Sequence, residues 1–399
     1  MEKKYVINIR YVFLIITIYL FVFQNLLQTY IPYFQYYDEF VAIVSVPIIF
    51  FNLINKKSKN KQNKKIMIFL VLILIIGVLG NIIYKYQIIK YVLFDMLLFL
   101  KFYLIYFMSE IVWNNSFLEK YNKKIRFHIG LIALILCFFT FLNYAFTIWP
   151  NDYRYGILSN KLFYSHPTFL SGICIFLLSF SIRTNKKVLN ITNIIITLIL
   201  ISTLRFKAIG AAMAVFLLSL YVERTQKKLS LTKIAFVGVI LLIFAFDQIN
   251  FYFFKNDGFA RKELMNASFE IAKDYFPIGT GFATFGSFYS AENYSLIYYK
   301  YNLNTVYGLS PNYHYFVADS FYPMLLGQFG YIGLFLYLIC IYLLFKKIQN
   351  IDLKKNKYVY ISKICALTYL IISSTSESSF TGPMAISLAL IMGFDDEIK

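Results

Sequence analysis

The sequence predicts an all-α, polytopic membrane protein with about twelve transmembrane helices and one large extracytoplasmic loop. Three observations predict it. Hydrophobic residues make up 59% of the 399 and charged residues 15%, with mean hydropathy +0.62, whereas soluble domains average about 25% charged. Helix-length apolar segments fill nearly all of the chain. Lys and Arg crowd alternate connections between those segments.

The segments lie near 11–28, 39–55, 66–84, 91–112, 128–147, 165–182, 188–204, 207–222, 232–250, 321–345, 358–374 and 379–394. A span needs about 20 mostly apolar residues. In lipid every backbone polar group must be satisfied within the segment, so each is a helix. The first resembles a signal peptide, with Lys3, Lys4 and Arg10 ahead of an apolar run. No small-residue cleavage site follows, and it reads as an uncleaved helix. Cys137, Cys174, Cys340 and Cys365 all fall inside predicted helices, too scattered for a metal motif, and read as small packing residues. No repeat, linker or soluble domain is visible, so residues 1–399 read as one integral membrane domain.

The net charge of +19 invites a nucleic-acid partner, but its distribution excludes one. With the N-terminus inside, the inner connections hold 26 of the 39 Lys and Arg, the Lys56–Lys65 run among them. The outer connections hold 11, five of them in the insert. The positive-inside rule then places both termini in the cytoplasm. Anionic lipid headgroups are the expected partners of this charge.

The one long polar stretch, residues 251–320, is therefore outside. It opens with Asn256-Asp257-Gly258-Phe259-Ala260-Arg261. Leu264, Ser268, Ile271 and Tyr275 then share one helical stripe, with Met265 and Ala272 beside it. That spacing suits an amphipathic helix on the membrane surface. Pro277 ends it, and Gly279-Thr280-Gly281 makes a tight turn whose backbone could cradle a phosphate. A lone Gly-x-Gly is a weak signal of that. A tyrosine cluster follows: Tyr289, Tyr294, Tyr298, Tyr299, Tyr301, Tyr307, Tyr313, Tyr315 and Tyr322, with His314 among them. Such rings suit stacking on sugars with hydrogen bonds to their hydroxyls. They equally suit an aromatic belt at the membrane surface. Neither His166 nor His314 has partners at metal-ligand spacing, and no metal or other cofactor is expected.

Polar residues at membrane depth are costly and commonly functional. The turn Ser202-Thr203-Leu204-Arg205-Phe206-Lys207 puts two cations at the outer side, where positive charge is disfavoured. They read either as an anion site, to which Arg brings a bidentate fork, or as side chains reaching lipid phosphates. Lys101 sits mid-segment, six residues from Asp95 and on a different helix face. Both an ion pair with another helix and a place in the wall of a polar cavity are open for it.

Three features together resemble the bacterial O-antigen and capsular polysaccharide polymerases and the related O-antigen ligases. Thr203-Leu204-Arg205 is similar to the ligase pattern of an Arg two residues after Ser or Thr at the outer end of a helix. Arg261, its amphipathic helix and Pro277-Ile278-Gly279-Thr280-Gly281 resemble the second family Arg with its Pro-x-Gly-x-Gly turn. Asp319-Ser320, nine residues, then Gly330-Tyr331-Ile332-Gly333 resembles the ligase signature, with Asp in place of its His. That exchange favours a polymerase.

The resemblance covers residues 200–335. It implies a multispanning (GT-C-like) glycosyltransferase in the bacterial cytoplasmic membrane, joining undecaprenyl-pyrophosphate-linked repeat units outside the cell membrane. Chain-length regulators and flippases would be its protein partners. Arg205 and Arg261, with Lys207 assisting, would stabilise the departing pyrophosphate. Asp319 would be the general base, although it also suits a cap on the helix that follows. Gly279, Gly281, Tyr298, Tyr299 and His314 are the remaining substrate-binding candidates. A ligase-like transfer is the nearest alternative, and a repeat-unit flippase or other transporter is the alternative from another class.

Overall fold

The computed structural model describes residues 8–54, 61–150, 152–154, 156–244, 246, 250 and 259–394. Lys3, Lys4, most of the first half of the Lys56–Lys65 run, Asn256 to Gly258 and the C-terminal Lys399 lie outside the described residues. The chain is an all-α polytopic membrane protein. Its helices are α1 (Ile9–Tyr30), α2 (Tyr37–Ile54), α3 (Lys61–Tyr84), α4 (Ile89–Val112), α5 (Asn115–Phe146), α6 (Pro167–Asn185), α7 (Ile191–Ser202), α8 (Phe206–Thr225) and α9 (Leu231–Phe244). The insert adds α10 (Ala260–Asp274), α11 (Phe288–Glu292) and α12 (Leu296–Lys300), and the chain ends in α13 (Phe321–Gln349), α14 (Leu353–Ser373) and α15 (Pro383–Gly393). Each predicted apolar segment coincides with a helix over its described residues, and among the described residues eight helices are long and apolar enough to cross a membrane. α7 and α15 are shorter apolar helices.

The core is largely provided by α6, which is buried along almost its whole length and packs against α14. α4 lies between α2 and α15. α2, α3 and α5 leave many large apolar side chains exposed, as helices facing lipid do. The cysteines are free thiols within helices.

The insert packs on the bundle. The apolar stripe of α10, with Leu264 and Ile271 fully buried, packs against α13. It forms a second small core with Phe285, Ile297, Tyr298 and Leu309. Tertiary packing thus takes the amphipathic face that sequence spacing assigns to lipid. Burying a Leu or Ile side chain is worth about 1.5–3 kcal/mol, enough to hold this helix against the bundle.

Residues 277–286 then re-enter the bundle between α3, α4 and α13. Within α13, Gly330 leaves the helical region (φ 64°, ψ −169°) and breaks the helix. The carbonyls freed by this kink accept bonds from the insert: Thr280 N donates to Gly327 O (3.1 Å) and Gly281 N to Gln328 O (2.8 Å). Asn81 of α3 bonds both sides of Phe282, and Asp95 of α4 accepts from Ala283 N at 2.6 Å. An unpaired backbone group in such a place costs several kcal/mol, so loop and kink complete one another. A Cβ on Gly279, also at positive φ, would stand 2.5 Å from Gly330 N. Gly279→Ala is therefore expected to destabilise the fold by at least about 1–3 kcal/mol. Thermal unfolding in detergent reads this as a lowered Tm, and an unchanged Tm would refute the lock.

Candidate functional site

A cavity of about 1720 Å³ opens at the end of the bundle that carries the insert. The sequence brings its charged walls from separate connections. The first wall is the α7–α8 turn. α7 has 12 residues, about 18 Å at 1.5 Å per residue, too short to traverse a hydrocarbon core of about 30 Å. A two-stranded hairpin, β1 (Asp152–Arg154) and β2 (Ile157–Ser159), closes over its end. Asn160 N donates to Ser202 O (3.0 Å) and Ser159 Oγ to Thr203 O (2.7 Å). Leu204 takes a positive φ of 49° and Arg205 follows as the N-cap of α8. Asp152 of β1 meets Arg205 at 2.9 Å.

Lys207, one residue inside α8, pairs with Glu377 of the α14–α15 connection at 2.7 Å. That connection is tied to the start of α13: Ser378 Oγ donates to Ala318 O at 2.8 Å. Asp319 thereby stands beside Glu377, and Arg261, in the first turn of α10, pairs with Asp319 at 2.9 Å. Asp319 does not cap α13. The N-cap is Ser320, which makes no side-chain capping bond, and the Asp319 carboxylate faces Arg261 instead.

Arg205, Lys207, Arg261, Asp319 and Glu377 all line the cavity, as does His166. Burial raises the Asp319 pKa, and the charges of Arg261 and Lys207 reverse only part of that rise. Burial raises that of Glu377 too, but the Lys207 charge and hydrogen bond pull it below the ordinary value. Burial, then Arg205 and Lys207, lowers His166 to about 4. His166 is thus neutral near pH 7, and it caps α6 by accepting from Thr168 N.

The remaining candidates lie elsewhere. Gly279 and Gly281 press against Gly330 and Asn81 as parts of the kink lock, so they hold backbone and cradle no anion in the cavity. Tyr298 is fully buried, its hydroxyl bonded to Gly286 N and Ser290. Tyr299 packs edge-on against Tyr294, and His314 bonds Pro311 O through Nδ1. None of these five lines the cavity. From the tyrosine cluster Tyr289, Tyr307 and Tyr315 do so.

Sequence reasoning gave no role to Asp152, Asp38 or Glu39. Lys101 satisfies both of its open readings. Its Nζ pairs with Asp38 (2.5 Å) and Glu39 (3.1 Å) of α2, and it lines the deep part of the cavity. Asp95, bonded to the re-entrant loop, lies outside it. No protein-family model matches this chain, and no curated protein matches it.

Proposed function

We propose that this chain is a membrane glycosyltransferase that joins polyprenyl-pyrophosphate-linked oligosaccharide repeat units into a polysaccharide. The observation that carries this is the convergence of Arg205, Lys207 and Arg261, from two distant segments, on one large cavity beside the carboxylate of Asp319. In this reading an acceptor sugar hydroxyl attacks the anomeric carbon of the donor glycan from the side opposite the leaving group. A C–O bond forms, the bond to pyrophosphate breaks, and the configuration inverts. Asp319 takes the hydroxyl proton. The two guanidiniums and the Lys207 ammonium meet the charge that develops on the departing pyrophosphate, and preorganised cations act strongly in such a site. A pyrophosphate binding to Arg261 competes with Asp319 for it, which leaves the carboxylate free to act as base.

The chain would cross the bacterial cytoplasmic membrane twelve times, with both termini in the cytoplasm and the cavity open to the outside. Thr305 of the insert and Lys354 in the first turn of α14 are both exposed. Thr305→Cys should react with an impermeant thiol reagent in intact cells and Lys354→Cys only after lysis. Equal labelling would remove the orientation.

The function is tested with purified protein in liposomes supplied with lipid-linked repeat units. Long glycan chains on the lipid are expected. Single transfer to another acceptor would make the protein a ligase, and translocation without new glycosidic bonds would make it a transporter.

A further inference from the structure

The cavity has a second charged pole, and its composition differs from the first. Around Arg205, Lys207 and Arg261 each cation has one carboxylate partner. At the deep end the single ammonium of Lys101 is shared by Asp38 and Glu39, and Gln24 donates to the other oxygen of Asp38 at 3.1 Å. Glu39 Oε2 is buried and makes no hydrogen bond among the described residues. A carboxyl oxygen accepts hydrogen bonds, so this one can take a hydroxyl donor from the cavity.

An aromatic platform lines the same cavity. The Tyr289 ring lies 5.4 Å from that of Phe94 and 6.3 Å from that of Tyr91. Burial, then the Glu39 charge, pushes the Tyr289 hydroxyl up to about 12, so the phenol keeps its proton. An aromatic face with a polar tip, beside an acceptor carboxylate, fits a sugar ring: its C–H face stacks and its hydroxyls donate. A phosphate does not fit, because the Lys101 charge is already met by two carboxylates. An acidic sugar likewise finds no cation left there to pair with.

We infer that the Glu39–Tyr289 end of the cavity is a sugar subsite for an uncharged or amine-bearing residue, and that it excludes uronic acids. As a specificity element for the glycan the inference rests on the proposed polymerase; as a binding site it stands alone.

The test is ligand-observed NMR on the full chain in nanodiscs, with three probes: tetramers of N-acetylglucosamine, of glucosamine and of galacturonate. Saturation should transfer to the first two and not to galacturonate. Glu39→Gln and Tyr289→Leu should each weaken both signals, Glu39→Gln by about fivefold, as for one lost hydrogen bond. Inorganic pyrophosphate binding, read by phosphorus NMR, should survive both substitutions. If Glu39→Gln loses pyrophosphate binding as well, it has misfolded and Tyr289→Leu decides. Equal binding of galacturonate, no binding of any tetramer, or unchanged binding in a folded variant overturns the subsite. Tetramer binding at Glu39 without pyrophosphate binding to the wild type would sink the polymerase and leave the subsite standing.

Discussion

Arg205→Ala and Arg261→Ala should each reach the membrane, fold, and lose polymer formation by at least about 100-fold, the usual cost of removing one preorganised donor from a developing anion. Folding should survive. Arg205 pairs with Asp152, which is 46% exposed, and pairs of that kind contribute only about 0–1 kcal/mol. Removing Arg261 leaves Asp319 with the Lys207 charge still nearby. Arg→Lys should restore part of the rate, because an ammonium supplies the charge without the bidentate fork. Chain length on a gel, with protein level from the same membranes, reads the result. Wild-type polymer in both Ala variants would remove the pyrophosphate clamp.

Asp319→Asn carries the second large effect. Asn can still accept a hydrogen bond from Arg261, and no capping bond is lost, since Asp319 caps nothing. A structural role therefore predicts near-normal chain growth, whereas a general base predicts a loss of about 10²–10⁴-fold. The pH dependence gives a second readout. A base works ionised, so the wild-type rate should fall as pH falls through the Asp319 pKa. Burial places that point above the ordinary carboxylate value, even against Arg261 and Lys207. Glu377 moves the opposite way, held below its ordinary value by Lys207. The residual activity of Asp319→Asn should lack this acid limb. A limb that persists unchanged would move the role of base to another group.

The helices were legible because hydropathy is written locally: each apolar segment reports its own environment. The cations of the site were legible for a related reason, since Arg205 and Lys207 interrupt apolar sequence where charge is costly. Glu39 was not, because a carboxylate at the start of a helix looks like any solvated first-turn residue. Only its packing against Lys101, 62 positions away, gives it meaning. Gly279 and Gly281 carried a true signal with the wrong content. The sequence shows that backbone must approach something closely, but not that the partner is Gly330 in a later helix. The stripe on α10 was ambiguous in the same way, since lipid and a neighbouring helix demand the same apolar face.

The seam between residues 277–286 and the broken turn at Gly330 also bears on how such a protein can diversify. Arg261 enters before this seam and Asp319 leaves after it, so the two ends of the insert are stapled to one another through the bundle. Between them, the exposed residues from Ser287 to Phe316 hang from this clasp, while Ile297, Tyr298 and Leu309 anchor the stretch in the second core. Lineages can exchange, lengthen or prune the exposed parts of that stretch while the charged centre keeps its register. The clasp itself cannot drift residue by residue, because each change there strands a backbone partner in another helix. Variation in this protein should therefore be modular: permissive beyond the clasp and frozen within it.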